Sequence, residues 1–235
     1  MRAARLPRLL AQAAHVARHT PRLPEAGGCS GTAGDGAPTT RIVALGDSVA
    51  AGVGVEHHRD TITGRLAAAL AGDGAATWEV RARSGATAGH VPAQAAGLGD
   101  PDVVLISLGV NDVKNLHRAA RWERELAAAL DGVLAAAPRA RVLLLGLPPL
   151  TTFPALPPEL GAALDARARG FDDAARQLAG DRPRVTHVPC AFPDEAGMFA
   201  ADGFHPSAAA HAAFADLCAA AVQDGADSTR RGHRS

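Results

Sequence analysis

Short apolar runs alternate with helical patterns along most of this chain. Five of the runs are rich in aliphatic and β-branched residues and are predicted to be strands: residues 41–46, 77–83, 102–108, 141–147 and 184–188. Between and after them, large apolar residues recur three or four positions apart, as on one face of a helix. Strands that alternate with helices predict a doubly wound parallel sheet covered by helices on both faces.

The two ends of the chain depart from this alternation. Residues 1–40 are predicted to form an amphipathic helix followed by a linker rich in proline and glycine. The arginines around its apolar stripe would allow the helix to lie on a membrane surface. The alternative is that the helix docks on the body or frays. Residues 41–224 are predicted to be one α/β domain, and the polar residues 225–235 a disordered tail.

Composition excludes several classes of protein. With 47% hydrophobic residues the chain can bury a large core, and its formal net charge of zero argues against a nucleic-acid partner. The three cysteines form no C-x-x-C pair, so neither a zinc site nor a disulfide framework is expected. No apolar run is long enough to span a bilayer. We expect a cytoplasmic protein that could be peripheral to a membrane through its first helix.

Polar residues collect just past the carboxyl ends of the predicted strands. Gly46-Asp47-Ser48 follows the first strand, Ser84-Gly85-Ala86-Thr87 the second, and Gly109-Val110-Asn111-Asp112 the third. Asp202-Gly203-Phe204-His205 precedes the last helix. Because carboxyl ends of parallel strands meet at one edge, these segments would place a hydroxyl, N–H donors, an imidazole and a carboxylate together.

Three of these residues have the chemistry of a nucleophile, a base and an orienting acid. Ser48 is a weak nucleophile unless a base takes its proton, and the imidazole of His205 is the candidate base. Asp202, three residues earlier, could hold one ring nitrogen as N–H and leave the other free for Ser48. The spacing to His205 favours Asp202 over Asp47 as the acid. Asp47 and Asp112 are interpreted as structural braces.

The four segments resemble, in order and spacing, the conserved blocks of the SGNH hydrolases, also called GDSL-type esterases and lipases. Gly46-Asp47-Ser48 matches the nucleophile block, Gly85 the second-block glycine, Gly109-Val110-Asn111-Asp112 the G-x-N-D block, and Asp202-Gly203-Phe204-His205 the D-x-x-H block. The resemblance covers residues 41–222. One departure is Val49, where the named motif has leucine.

This resemblance implies both the fold and the remaining site residues. It implies a three-layer α/β/α sandwich of the flavodoxin-like type with a five-stranded parallel sheet. It also implies an oxyanion hole made by the backbone N–H groups of Ser48 and Gly85 and the side-chain amide of Asn111. The residue types suit that role, since glycine admits a close backbone approach and asparagine donates without carrying charge.

Other features leave alternatives open. The apolar run at 148–158 could be a wall of an acyl pocket or a covering loop. His187 and His211 are interpreted as core or surface residues. His57 and His58 could line a pocket or be merely solvated, and His90 and His117, near the second and third segments, could touch substrate. A P-loop is excluded because no G-K-[ST] follows Gly52-Val53-Gly54. The nucleophile elbow of an α/β-hydrolase is excluded because Ala50 stands where its second glycine would be. A metal hydrolase is excluded because no H-E-x-x-H is present.

We therefore expect a cofactor-independent serine esterase without a metal. By resemblance it should hydrolyse short-chain carboxylic esters through an acyl-enzyme at Ser48, with a small-molecule ester as its partner. Thioesters, lysophospholipids and acetylated carbohydrates are alternatives at the same site. A catalytically silent binding domain of the same fold is the non-enzyme alternative, and the sequence leaves the oligomeric state open.

Overall fold

The computed structural model describes residues 5–193 and 195–232, and a six-stranded sheet forms its middle layer. The strands are β1 (Ser30–Ala33), β2 (Pro38–Gly46), β3 (Ala75–Val80), β4 (Val103–Ser107), β5 (Arg141–Leu145) and β6 (Val185–Val188). Their order is β1-β3-β2-β4-β5-β6, and all neighbours run parallel except β1 and β3. The five parallel strands predicted from the sequence are confirmed, and β1 adds an antiparallel edge.

Strand β1 corrects the prediction that residues before 41 form only a helix and a linker. Ser30 pairs with Glu79 and Ala33 with Ala76, so backbone hydrogen bonds hold this segment to the sheet. Its four residues lack an apolar alternation, because an edge strand needs backbone partners more than a buried face. A Cβ at Gly31 would lie 2.1 Å from the Trp78 ring, so glycine is what lets the indole pack there.

Helices cover both faces of the sheet. On one face lie α2 (Ile62–Leu70) and α7 (Ala208–Gly232), and on the other lie α3 (Val91–Gln94), α5 (Ala119–Ala136) and α6 (Pro158–Gly180). Successive residues of a strand point to opposite faces, so Leu105 packs with the α2 and α7 side and Ile106 with the α5 and α6 side. The three-layer sandwich expected from the alternation of elements is therefore confirmed.

The two ends of the chain are partly helical. Helix α1 (Arg5–His19) corresponds to the predicted amphipathic helix, and it contacts α6 where Arg8 Nε lies 3.0 Å from a Glu159 carboxylate oxygen. Helix α7 continues to Gly232, which differs from the disordered tail predicted from residue 225. An established helix adds one backbone bond for each further residue, which offsets the polarity of this segment. Residues 233–235 lie outside the described part of the chain.

The linker after α1 is fixed to the body before it enters the sheet. The Glu25 carboxylate accepts a hydrogen bond from Ser84 N–H at 2.7 Å, and Gly27 N–H donates to the Glu56 carbonyl at 2.9 Å. Val80 N–H donates to the Cys29 carbonyl at 2.7 Å. Among the described helices, none combines the length and the apolar character that crossing a bilayer requires.

Candidate active site

Ser48 lies on a tight turn two residues beyond the end of β2. The turn begins at Gly46, whose φ of 124° is in the region that favours glycine, and a Cβ there would lie 1.9 Å from the Ser107 carbonyl oxygen. Ala51 N–H donates to the Asp47 carbonyl and Val53 N–H to the Ser48 carbonyl, at 2.9 and 3.0 Å. These bonds fix the serine at the carboxyl edge of the sheet.

The side chain of Gln94 holds the start of this turn. Its amide oxygen accepts from Gly46 N–H at 2.7 Å, and its amide nitrogen donates to the Gly46 carbonyl at 2.9 Å. Sequence reasoning missed Gln94, because its partner lies 48 positions away and no local pattern links the two residues.

Asp202 and His205 belong to a compact loop that precedes α7. Phe199 and Pro206 form an isolated antiparallel bridge, and Ala200 N–H donates to the His205 carbonyl at 2.8 Å. Within the loop, one Asp202 carboxylate oxygen accepts from both the Phe204 and His205 N–H groups, each at 2.9 Å. The loop therefore positions the acid and the imidazole as one unit.

The structure brings Ser48, His205 and Asp202 into a continuous hydrogen-bonded chain. His205 Nδ1 lies 2.6 Å from the second Asp202 oxygen, and His205 Nε2 lies 2.9 Å from Ser48 Oγ. Since a carboxylate only accepts, Nδ1 carries the proton and Nε2 accepts from the serine hydroxyl. Burial alone would raise the pKa of Asp202, but the hydrogen bonds from His205 and Phe204 bring it below its usual value. Asp202 therefore remains a carboxylate, able to stabilise an imidazolium.

Three N–H donors named from the sequence line the same cavity as the Ser48 hydroxyl. Ser48, Gly85 and Asn111 all lie on its wall. Within the described part of the chain, neither the Ser48 nor the Gly85 backbone N–H has an acceptor. Asn111 is buried, and its amide donates one proton to the Ala86 carbonyl at 3.0 Å, which leaves the other proton for a ligand. Such donors can stabilise negative charge on a carbonyl oxygen.

Asp47 lies beside the nucleophile but outside the chain of hydrogen bonds to His205. One of its oxygens accepts from Ser107 Oγ at 3.0 Å and from Val49 N–H at 3.1 Å. Burial raises its pKa to about 7, despite those hydrogen bonds. Asp47 therefore braces the turn, as the sequence had suggested.

Asp112 braces the third segment behind Asn111. It is fully buried and accepts from Ala88 N–H at 3.3 Å, and its other oxygen lies 2.9 Å from His117 Nδ1. Asp112, His117 and Glu125 hold ligand atoms within 4.8 Å of one another, as a metal site would. His117 and Arg121 each donate a hydrogen bond to one of these carboxylates, and we assign no ion to them.

The other histidines have structural partners away from Ser48. His90 completes a capping box with Thr87, and His187 Nε2 lies 2.8 Å from Asp172. His211 is fully buried and accepts from Ile62 N–H at 3.2 Å, and His57 caps a short helix that contains His58. None of these five side chains lines the cavity that contains Ser48.

That cavity has a volume of about 910 Å³ and is mainly apolar. The run at 148–158 supplies part of its wall, in line with the interpretation of this run as a pocket wall. The residues that contribute are Pro148, Leu150, Phe153 and Leu156. Sequence reasoning missed the contribution of α1, from which six apolar residues line the cavity: Leu6, Leu9, Leu10, Ala13, Val16 and Ala17. The signal was present as the apolar stripe of α1, but the sequence could not show what the stripe faces.

A protein-family model and several solved structures resemble this chain. Residues 44–213 match the model of the GDSL-like lipase/acylhydrolase family, whereas none of the curated proteins compared with the chain matches it. Similar solved structures include a carbohydrate esterase family 2 enzyme from Corynascus thermopiles (Myceliophthora fergusii), with 22% identity, a TM-score of 0.63, and coverage of 82% of this chain and 68% of that chain.

Two lipolytic enzymes have the same fold. An extracellular lipase from Streptomyces rimosus has 22% identity and a TM-score of 0.59, with 77% of this chain and 98% of that chain covered. Phospholipase A1 from Streptomyces albidoflavus has 18% identity and a TM-score of 0.57, with coverage of 78% and 98%. At these identities the structures support the fold, and the family-model match over most of the chain supports membership. The chain belongs to the GDSL-like lipase/acylhydrolase family.

Proposed function

We propose that this protein is a serine esterase that hydrolyses carboxylic esters through an acyl-enzyme at Ser48. The observation that carries the proposal is the hydrogen-bonded chain from Ser48 through His205 to Asp202, with separations of 2.9 and 2.6 Å. Its serine end opens into a cavity that also presents the donors of Gly85 and Asn111. A nucleophile, a base, an orienting acid and fixed N–H donors are the parts that acyl transfer requires.

The geometry suits a two-step reaction. Ser48 Oγ attacks the ester carbonyl while its proton passes to His205 Nε2, and Asp202 stabilises the imidazolium. The Ser48, Gly85 and Asn111 donors stabilise the oxyanion of the tetrahedral intermediate. That intermediate collapses as His205 gives the proton to the leaving alcohol. Water, deprotonated by the same imidazole, then attacks the acyl-Ser48 ester and releases the acid.

Substitutions at the three residues test the proposal. With p-nitrophenyl acetate, we expect Ser48→Ala and His205→Ala each to lower kcat by about 10⁴-fold or more, and Asp202→Ala to retain more activity. His187→Ala is a matched control, because His187 also bonds a carboxylate but does not line the cavity. Wild-type turnover in folded Ser48→Ala protein would reject the mechanism.

A phosphonate probe separates an esterase from a silent binding domain. We expect the probe to label Ser48 in the wild-type protein, as shown by peptide mapping, and to leave His205→Ala protein largely unlabelled. Hydrolysis rates measured with acetylated sugars, acyl thioesters and lysophospholipids rank the alternative leaving groups. The resemblance predicts a preference for short acyl chains, and the size of the apolar cavity beside Ser48 argues for longer ones.

A further inference from the structure

Helix α1 turns its apolar stripe toward the catalytic edge of the sheet. The cavity-lining residues Leu6, Leu9, Leu10, Ala13, Val16 and Ala17 recur at helical spacing and form one face. On its flank, Arg8 and Gln12 both reach Glu159 of α6, at 3.0 and 3.5 Å. With these contacts formed, the apolar face of the helix lies over the cavity.

Much of this apolar face is exposed, although Leu9 and Val16 are half-buried. Four large apolar side chains are exposed in the described part of the chain, and three of them line the cavity: Leu6 (62%), Leu10 (57%) and Leu116 (62%). Exposed apolar surface concentrated in one place indicates a binding site. Filling the space between these side chains would remove that surface from water.

Leu116, which also lines the cavity, provides a separate observation. It is the one non-glycine residue with positive φ in the described chain, at 58°. That conformation is unfavourable for a leucine, and strained backbone is concentrated at functional sites. Leu116 follows the short helix α4 (Val110–Lys114), which begins next to Asn111. The strain therefore lies on the wall that continues from the proposed oxyanion donors.

The cavity is continuous with the reacting atoms, so a chain carried by the reacting carbonyl can extend into it. Ser48, Asn111 and His205 line the same space as the α1 residues. Its volume of about 910 Å³ is near the upper end for small-molecule sites, which span roughly 300–1,000 Å³. An acetyl group would leave most of this apolar space unfilled.

We propose that α1 forms the roof of an acyl-chain site and that the preferred substrates carry a medium- or long-chain acyl group. This inference rests on the proposed esterase function. The family model begins at residue 44, so the roof is supplied by a segment outside the matched domain. The inference therefore concerns what this chain adds to the shared fold.

A chain-length series tests the roof directly. We expect kcat/KM of the wild-type protein to rise from p-nitrophenyl acetate to the dodecanoate, by up to about fourfold for each methylene that the cavity buries. In the Leu6→Ala/Leu10→Ala variant, we expect the ratio of kcat/KM for dodecanoate to that for acetate to fall at least tenfold. Leu217→Ala is the matched control, because Leu217 is also exposed (45%) but does not line the cavity.

A binding measurement without turnover tests the proposed role of α1 independently of the proposed esterase activity. In a Ser48→Ala background, the fluorescence of 11-(dansylamino)undecanoic acid reports occupancy of the site. We expect Leu6→Ala/Leu10→Ala to weaken its Kd at least tenfold, even if no ester proves to be a substrate. An active enzyme with equal rates for all chain lengths would overturn the inference and leave the esterase intact.

Sedimentation with phosphatidylcholine vesicles tests the other role of an amphipathic helix. Loss of vesicle binding in the Leu6→Ala/Leu10→Ala variant, with unchanged chain-length dependence and probe affinity, would assign α1 to a membrane surface and overturn the roof. Vesicle binding equal in the variant and wild type, together with weakened probe affinity, supports the roof.

Discussion

Asn111 divides its two amide protons between the fold and the cavity. One proton reaches the Ala86 carbonyl, and the other is available for a developing oxyanion. Because loss of one such donor costs about 3 kcal/mol in the barrier, we expect Asn111→Ala to lower kcat on p-nitrophenyl acetate about 100-fold. The control is Asn115→Ala, which alters an exposed residue on the same cavity wall. Equal kcat values for Asn111→Ala and wild type would remove Asn111 from the proposed site.

Asp47 should make stability depend on pH. Its native pKa of about 7 lies above that of an unfolded aspartate, so between the two values the native state holds a proton that the unfolded state has lost. The resulting stabilisation is complete below the unfolded pKa and is lost as the pH rises through 7. From pH 5 to pH 8, we expect wild type to lose about 3 kcal/mol relative to Asp47→Asn.

Urea unfolding at a series of pH values measures this difference. The matched control is Asp73→Asn, which makes the same change at an exposed carboxylate. A constant difference in unfolding free energy between wild type and Asp47→Asn across this range would show that Asp47 is not protonated in the native protein at pH 5.

The sequence could identify candidates for the reacting residues because their spacing is local. Asp202 and His205 are three positions apart, and one loop holds both. The sequence alone could not select His205 among ten histidines, and the ordered blocks made that selection. Gln94 could not be found in this way, because its role depends on a backbone group of Gly46 brought near by folding.

At the scale of elements, a buried histidine joins two helices on one face of the sheet. His211 in α7 accepts a hydrogen bond from Ile62 N–H at the start of α2. Burial, with further effects from His58 and Arg65, lowers its pKa to about 3. Below the unfolded pKa of about 6.5 the unfolded state gains a proton that the native state does not, so stability is lost as the pH falls.

We therefore expect wild type to lose about 3 kcal/mol more than His211→Asn between pH 7 and pH 4. The comparison uses the change in unfolding free energy with pH rather than its absolute value, because the smaller asparagine side chain also alters packing. Chemical unfolding monitored by circular dichroism gives both values, and His57→Asn is the control at a partly exposed histidine. Parallel pH profiles for wild type and His211→Asn would contradict the assignment.

The elements predicted correctly are those whose pattern reflects burial. Strand β4 is buried throughout because helices cover both of its faces, and its first four residues are apolar. Strands β5 and β2 are recognisable for the same reason. Strand β1 has no such pattern, since its place depends on backbone pairing with β3 and on the space that Gly31 leaves for Trp78. Edge strands of this kind are specified by tertiary contacts that a single sequence does not display.

At the scale of the whole molecule, α1 is weakly attached to the rest of the described structure. Its ion pair to α6 is largely exposed, with side-chain exposures of 67% and 42% for Arg8 and Glu159. Exposed pairs contribute at most about 1 kcal/mol, and the apolar face of α1 faces the cavity. Local opening of α1 should therefore need much less free energy than global unfolding.

Hydrogen–deuterium exchange measures this directly. We expect amides of α1 to exchange at least about 100-fold faster than those of β4, because local opening exposes only the former. A dodecyl phosphonate attached to Ser48 should slow exchange in α1, whereas an ethyl phosphonate should not. Equal protection of α1 and β4 in the free protein would contradict weak docking.

The fixed linker sets how far a detached roof can travel. Because Glu25 and Gly27 are bonded to the body, only residues 20–24 connect α1 to a fixed point, a reach of at most roughly 18 Å. So short a linker keeps the helix at an effective concentration on the order of millimolar near the cavity. Reclosure is then a first-order event within one molecule, and the fraction of closed sites should not change when the protein is diluted.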